Sequence, residues 1–487
     1  MQRMQIRRRT LATALLVCML PSCAAKPEGR LDAGLEMPNP GMPDFESRSA
    51  ISTLSEGAAL STDSKPLNST RAGRALTLED AVRKALSWHP SIDEAVGRLN
   101  QSKDQIEVAR SGYRPKIRAG INSNYERGSG YDGEFRPQFS ASVSQMIFDF
   151  GKVDSEVATG IAGTELSRAQ LLLAVDNLIR DTTNAVIETQ RNRALLAVAH
   201  EQVAGVESIT GLVRQRSEQG ASTRSDEVQA QARLQAAQAR VLELQAQLNR
   251  WEAALANLTG SNGRIALRSD APTWLTNACD ISEPDWSQVP AMLEAEAQRR
   301  RAEAQLALSN AQIFPTLSLE ANATQDIDGT LLGHSGRRSS EQSDYTIGLN
   351  LSGSLYDGGA TRARSSAASH ALKAADAARE KIRSETHRSM AEARSQAGSM
   401  KLLLTSLSAR GKIMNETRDL YRKQYIDLGT KTLLDLLNAE QELNAARFDE
   451  VNTTYDLRRL STDCLFNAGV LRKSFGLTGT TLRGVPL

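Results

Sequence analysis

From Leu76 onward the chain repeats itself, and this duplication limits what it can fold into more than any other feature. Pro90, Glu94, Ala95, Gln105 and Pro115 recur as Pro290, Glu294, Ala295, Gln305 and Pro315, all at an offset of 200. Phe148-Asp149-Phe150-Gly151 recurs as Tyr356-Asp357-Gly358-Gly359 at an offset of 208, and Gly220 with Asp226 recurs as Gly429 with Asp435 at 209. Ordered anchors with a drifting offset mark two copies of one long unit, not a short solenoid repeat. Each copy has the same plan. A helical pattern runs to Pro115 or Pro315, two alternating runs follow as strands, and a Gly-rich turn joins them. Then come Lys152 to Gln219 and Ala360 to Leu428, free of proline. At ~1.5 Å per residue, each would make a helix about 100 Å long, beyond the needs of a compact domain. After Gly220 the chain returns with apolar positions Ala230, Leu234, Ala237, Val241, Leu244, Leu248, Trp251, Leu255 and Leu258. Alternating steps of four and three predict a seam between long antiparallel helices, which the small Ala230 and Ala237 let approach closely near the turn.

Beyond the first residues, no apolar run approaches the roughly 20 residues of a membrane helix, so any spanning part must be built from strands. The strands expected near Lys116 to Tyr125, Arg136 to Phe148, Pro315 to Thr324 and Tyr345 to Tyr356 suit that role. Ile121-Asn122-Ser123-Asn124-Tyr125 and Phe139-Ser140-Ala141-Ser142-Val143 alternate apolar with small polar residues, one face for lipid and one for water. Aromatics number only 21 in 487 residues, yet Tyr113, Tyr125, Tyr131, Phe135, Phe139, Phe148 and Phe150 gather at the first strand pair and its borders, as in a barrel girdle. Four strands cannot close, and an open sheet edge is not tolerated in hydrocarbon. Three chains would supply twelve strands, an even number within the range of outer-membrane barrels.

Residues 1–22 read as a signal peptide, with Arg3, Arg7, Arg8 and Arg9 ahead of a short apolar stretch. Leu20-Pro21-Ser22-Cys23 resembles the lipobox of bacterial lipoproteins, which implies acylation at Cys23; Ala24, where no aspartate stands, implies passage to the outer membrane. Residues 23–75, with Pro27, Pro38, Pro40, Pro43 and Pro66, are expected to be a lipid-anchored linker, followed by repeats over 76–285 and 286–487. Removing the signal peptide takes away four positive charges, so the formal net charge of +2 becomes −2, which argues against nucleic acid as a partner. Cys279 and Cys464 remain in an oxidising compartment, either as a disulfide or as two buried thiols. His89, His200, His334, His370 and His387 show no metal-ligand spacing, no catalytic constellation or cofactor motif stands out, and His89 before Pro90 reads as a helix boundary.

The two strand-to-helix motifs, together with Leu76-Thr77-Leu78-Glu79-Asp80-Ala81, His89-Pro90-Ser91-Ile92 and Gly429-Thr430-Lys431-Thr432-Leu433-Leu434-Asp435-Leu436-Leu437, resemble TolC-family outer-membrane efflux proteins over Leu76 to Val470. The resemblance implies a mainly α fold with a small β part: long helical hairpins in a periplasmic α-barrel, and four transmembrane strands per protomer. It implies a homotrimer in the outer membrane, docked to a periplasmic adaptor and an inner-membrane pump of ABC or RND type, and a passive duct rather than an enzyme. The Leu76-to-Pro90 opening resembles members that serve type I protein secretion, the expected role. Small-molecule efflux is the alternative, and a pore-free periplasmic coiled-coil lipoprotein a more distant one. The resemblance also implies that the two helix turns meet at a periplasmic gate, with Gly220, Ser225, Asp226, Gly429, Lys431 and Asp435 at the tip. Lys431 is expected to pair with Asp226, and Asp435 to line the narrowest part, where Asn438 replaces a second acid.

Overall fold

The computed structural model describes residues 75–126, 134–263, 265–270, 272–327 and 343–486. Cys23, the signal peptide, the linker up to residue 74 and the two strand-joining turns lie outside them. The first repeat opens with α1 (Leu78–Trp88), whose Leu78, Ala81, Val82, Ala85 and Leu86 recur at helical spacing and are buried. Thr77 and Asp80 form its capping box, satisfying N–H groups that the first turn would otherwise leave unpaired. His89 then caps α2 (Pro90–Arg110): its Nδ1 accepts the N–H of Ser91 at 3.3 Å, and Pro90 takes the first helical position, where no N–H is needed. Strands β1 (Lys116–Glu126) and β2 (Glu134–Phe148) lead into α3 (Lys152–Glu218), which returns as α4 (Arg224–Thr259).

After the single turn α5 (Thr273–Thr276), the second repeat runs through α6 (Pro290–Ala311), β3 (Thr316–Asp326), β4 (Ser343–Ser352), α7 (Ala360–Lys423) and α8 (Leu433–Asn467). A short α9 (Leu471–Ser474) and the small hairpin β5 (Thr481–Leu482) and β6 (Val485–Pro486) close the chain. At ~1.5 Å rise, the 67 residues of α3 and the 64 of α7 extend about 100 Å each. The strand-to-helix motif explains how they start. The Asp149 carboxylate accepts the N–H groups of Gly151 (3.0 Å) and Val153 (2.7 Å), and Asp357 accepts those of Gly359 (3.1 Å) and Thr361 (2.8 Å). Each aspartate pairs otherwise orphaned donors and places negative charge at the positive helix end.

The four strands form one antiparallel sheet in the order β1-β2-β3-β4. Its register separates two faces. Ile117, Val143, Ala321 and Ile347 lie on one side with Ile121, Phe139, Leu319 and Leu349, whereas Arg118, Ser142, Asn322 and Thr346 share the other. The expected fourth strand is shorter than its sequence suggested: β4 ends at Ser352 rather than Tyr356. Gly353 there lies so close to Pro315 that a Cβ would meet its ring at 2.9 Å, and the chain bends away before the helix. Residues 343–352 are exposed throughout, leaving β4, like β1, a free edge.

The main core lies midway along α3, where Leu171, Val175, Ile179 and Val186 pack with α1, Leu255 of α4, Leu465 of α8, and Leu471, Phe475 and Val485 of the C-terminal segment. The repeats differ in burial. α3 is wrapped by α1, α2, α4, α6 and α8, while α7 packs on α6 and α8 and leaves Leu402, Leu403, Ile413 and Leu420 exposed. Among the described residues the sheet therefore has two unpaired edges, and α7 carries a flank of exposed apolar side chains.

Candidate functional site

The far ends of the two helical hairpins meet in a small apolar cluster. Ile209 and Val213 of α3, Ala230 of α4, Tyr425, and Leu433, Leu436 and Leu437 of α8 pack together, with Tyr421 against them. Each turn is made by glycine in the left-handed region, Gly220 at φ +74° and Gly429 at φ +62°, where a side chain would be strained. The two approaches differ. α3 stays α-helical to its cap, and the N–H of Ala221 closes back on the carbonyl of Arg216 at 2.8 Å. α7 instead ends in a π turn over Gln424–Leu428, which widens the last turn and sets Tyr425 inward at 6 % exposure.

Both return helices start with the same device. Thr223 Oγ1 accepts the N–H of Asp226 at 3.2 Å, and the Asp226 carboxylate accepts the N–H of Thr223 and the hydroxyl of Ser222, each at 3.0 Å. Thr432 and Asp435 repeat this at 3.2 and 3.1 Å. These bonds hold both carboxylates below the usual aspartate range: the Thr223 N–H leads for Asp226, and the Thr432 N–H, followed by its hydroxyl and then the charge of Lys431, for Asp435. Both acids are therefore charged at neutral pH. Ser225 is exposed in the first turn of α4.

The expected pairing of Lys431 with Asp226 is not what the structure shows. Lys431 Nζ stands over the ring of Tyr421 at 4.3 Å, while Asp226 is engaged by its own capping box. An acid that already caps its own helix gains little from a lysine on the other hairpin, and the tyrosine face offers that lysine an alternative. The hairpins are joined by residues the sequence reading did not single out. Arg216 Nη1 donates to the Tyr425 carbonyl at 2.8 Å, and its guanidinium covers the Tyr425 ring at 4.8 Å. Arg422 donates to Ser208 Oγ at 3.2 Å, and Arg233 to Gln441 at 2.8 Å. Arg418 lies 3.6 Å from Glu440, a carboxylate buried against Gly205. The signal that could have found them is Tyr421 with Tyr425, two tyrosines one turn apart in a chain with only eight.

Far from the tip, Cys279 and Cys464 form a disulfide, Cα to Cα 5.2 Å, that ties the link between the repeats to α8 beside Ala393 and Ala397 of α7. Among the described residues no cluster of potential metal ligands occurs, and no helix is long and apolar enough to cross a membrane.

Known proteins share this architecture. A family model described as "Outer membrane efflux protein" matches residues 81–261 and 287–462, one segment in each repeat. The chain is 22% identical over 388 residues to the outer membrane efflux protein BepC of Brucella suis, covering 78% of this chain and 82% of that protein. To the alkaline protease secretion protein AprF of Pseudomonas aeruginosa it is 23% identical over 430 residues, covering 82% and 85%. The solved outer membrane protein VceC of Vibrio cholerae has the same fold, with a TM-score of 0.69 at 17% identity over 80% of this chain and 96% of that one. With both repeats matched and helical hairpins continuing a two-faced sheet, this chain is located in the outer membrane with its helices in the periplasm, and it belongs to the outer membrane efflux protein family.

Proposed function

We propose that three copies of this chain close a twelve-stranded barrel continued by a twelve-helix tunnel, and that the assembly passively conducts substrate from a periplasmic adaptor and inner-membrane pump to the exterior. The observation that carries this is the sheet: four strands, apolar on one side and polar on the other, with both edges free. Such a sheet satisfies its edges in a membrane only by joining others. Mass measurement in mild detergent should give a trimer, and planar bilayers should show discrete conductance. A monomer, or a trimer that conducts nothing, overturns the reading; the second outcome would favour a periplasmic tether.

For cargo, the reading adopted is type I secretion of a large protein, supported by the opening Leu76-to-Pro90 motif and by the likeness to a protein named for protease secretion. The likeness to BepC, named for efflux, supports the small-molecule alternative. Deleting the gene and following one secreted protein and a panel of toxic small molecules separates the two. The tip is read as the gate, with three copies of Asp435 around its narrowest part and the Arg216–Tyr425 contact restraining each protomer's hairpins. Acylation of Cys23 would add a lipid to a body already held by strands, and the intact mass of the mature chain reads it directly.

A further inference from the structure

Glu440 is a carboxylate of α8 buried to 4 % exposure at the seam where the two hairpins meet. Its Oε1 accepts the Asn444 amide at 3.1 Å, and its Oε2 lies 3.6 Å from Arg418 on α7. α3 faces it at Gly205, where a Cβ would stand 2.4 Å from Oε1 and 2.9 Å from the carboxyl carbon. Only glycine leaves room there, and glycine inside a long helix lowers helix stability relative to alanine. A desolvated charge and a helix-weakening glycine thus coincide one turn above Ile209, where the apolar cluster of the tip begins. A neutral, close-packed seam would avoid both costs.

The partners of the carboxylate show what the arrangement does. Asn444 and Arg418 both belong to its own hairpin, so neither fastens it to α3. If the hairpins part, the carboxylate keeps both partners and gains water. When they close, that water is displaced by the backbone of Gly205, and among the described residues no hydrogen bond from α3 replaces it. Water is near, because Asn444 also lines an open groove of about 290 Å³ between α3, α4 and α8, with Gln202, Val206 and Gln441. Arg216 at the tip works in the opposite sense, since its bond to the Tyr425 carbonyl crosses from one hairpin to the other and is lost when they separate.

We propose that Glu440 is a spring in the gate: its desolvation opposes closure of the hairpins, so the Arg216 contact holds the tip shut against a standing force towards opening. This rests on the gate reading of the tip and adds to it a residue whose charge works against the closed state. Arg418 moderates the spring by sharing the buried charge. Its Nη2 bond to Asn415 and its contact with Asp419, each at 2.9 Å, leave it partnered when that charge is removed.

The test is single-channel recording from the full-length trimer in planar bilayers, with three variants. Arg418→Met leaves the carboxylate with Asn444 alone and should raise the open fraction by about fivefold or more. Adding Glu440→Gln, which keeps the shape and removes the charge, should return the open fraction to the parent value or below it. Glu440→Gln by itself should melt no lower than the parent, because the seam loses a desolvated charge and strands no cation. If Glu440 instead fastens the hairpins, the double variant is at least as open as Arg418→Met, and Glu440→Gln melts lower; either result overturns the spring. So does an Arg418→Met channel with the open fraction of the parent. A parent that conducts and gates but ignores these changes refutes the spring alone, whereas a parent that forms no conducting trimer refutes the gate reading beneath it.

Discussion

Arg472 shows what a single side chain does in this fold. It is 3 % exposed, its Nε lies 3.4 Å from the buried Asp176 of α3, and its Nη2 donates to the Gln288 carbonyl at 2.8 Å. One guanidinium therefore holds α3, the link before α6 and the C-terminal segment together. Burial pushes the Asp176 carboxyl up to about 7 even though Arg472 pulls it down. A folded-state value raised above the unfolded one means that the proton-linked stability is present at low pH and is lost as pH rises through about 7. Arg472→Met leaves that carboxylate without its partner and should cost about 3–5 kcal/mol at pH 8. At pH 5 Asp176 can take a proton, so the loss should be smaller; an equal loss in melts at both pH values would refute the account. At this scale the capping boxes of Thr223 with Asp226 and Thr432 with Asp435 are local hydrogen bonds over three residues, although the sequence reading paired Asp226 with Lys431 instead. Arg472 is not legible in sequence, since an arginine near a chain end reads as surface until distant elements enclose it.

At the scale of elements, the two hairpins are alike in plan and unlike at their ends. The π turn over Gln424–Leu428 presents the Tyr425 carbonyl and ring together, and Arg216 takes both. A neutral acceptor and a cation–π contact are each worth about 1–2 kcal/mol, strong enough to bias a closed tip and weak enough to release. Arg216→Ala should therefore raise the open fraction of reconstituted channels, and more than Lys431→Ala, whose lysine stays within its own hairpin. Single-channel recording gives both, and a larger effect from Lys431→Ala would return the latch to that lysine. On the proposed gate reading, Asp435→Ala should lower cation selectivity in the same recordings, because charged carboxylates around a narrow aqueous passage would concentrate cations.

At the scale of the whole molecule, one covalent tie among the described residues joins distant parts of the chain. The Cys279–Cys464 disulfide joins positions 185 residues apart, nearly the whole second repeat. In the chain-entropy account, closing a loop of that length is worth about 5 kcal/mol. Cys464→Ser should lower the melting temperature of the periplasmic part and leave the proposed trimer intact, since the bond lies beside Ala393 and Ala397, more than thirty residues along α7 from the sheet. Dithiothreitol should shift the parent protein in the same direction and leave the variant unmoved; a parent insensitive to reduction would show that the bond adds no stability.

The sequence by itself determined the duplication, the two long proline-free helices, the four alternating strands and the glycine turns. Each depends on short-range physics: backbone freedom at glycine and proline, capping within three residues, and side-chain periods of two or 3.6. Only the tertiary structure decided which surfaces meet. Helices rich in alanine, arginine and glutamate offer many stripes of nearly equal energy, so nothing local pairs Arg216 with Tyr425, or turns Lys431 to Tyr421 and away from Asp226. The bulge between Met146 and Phe148, which swings Phe148 to the apolar face, and the enclosure of Arg472 are likewise settled by register and packing, which depend on residues far apart in the chain.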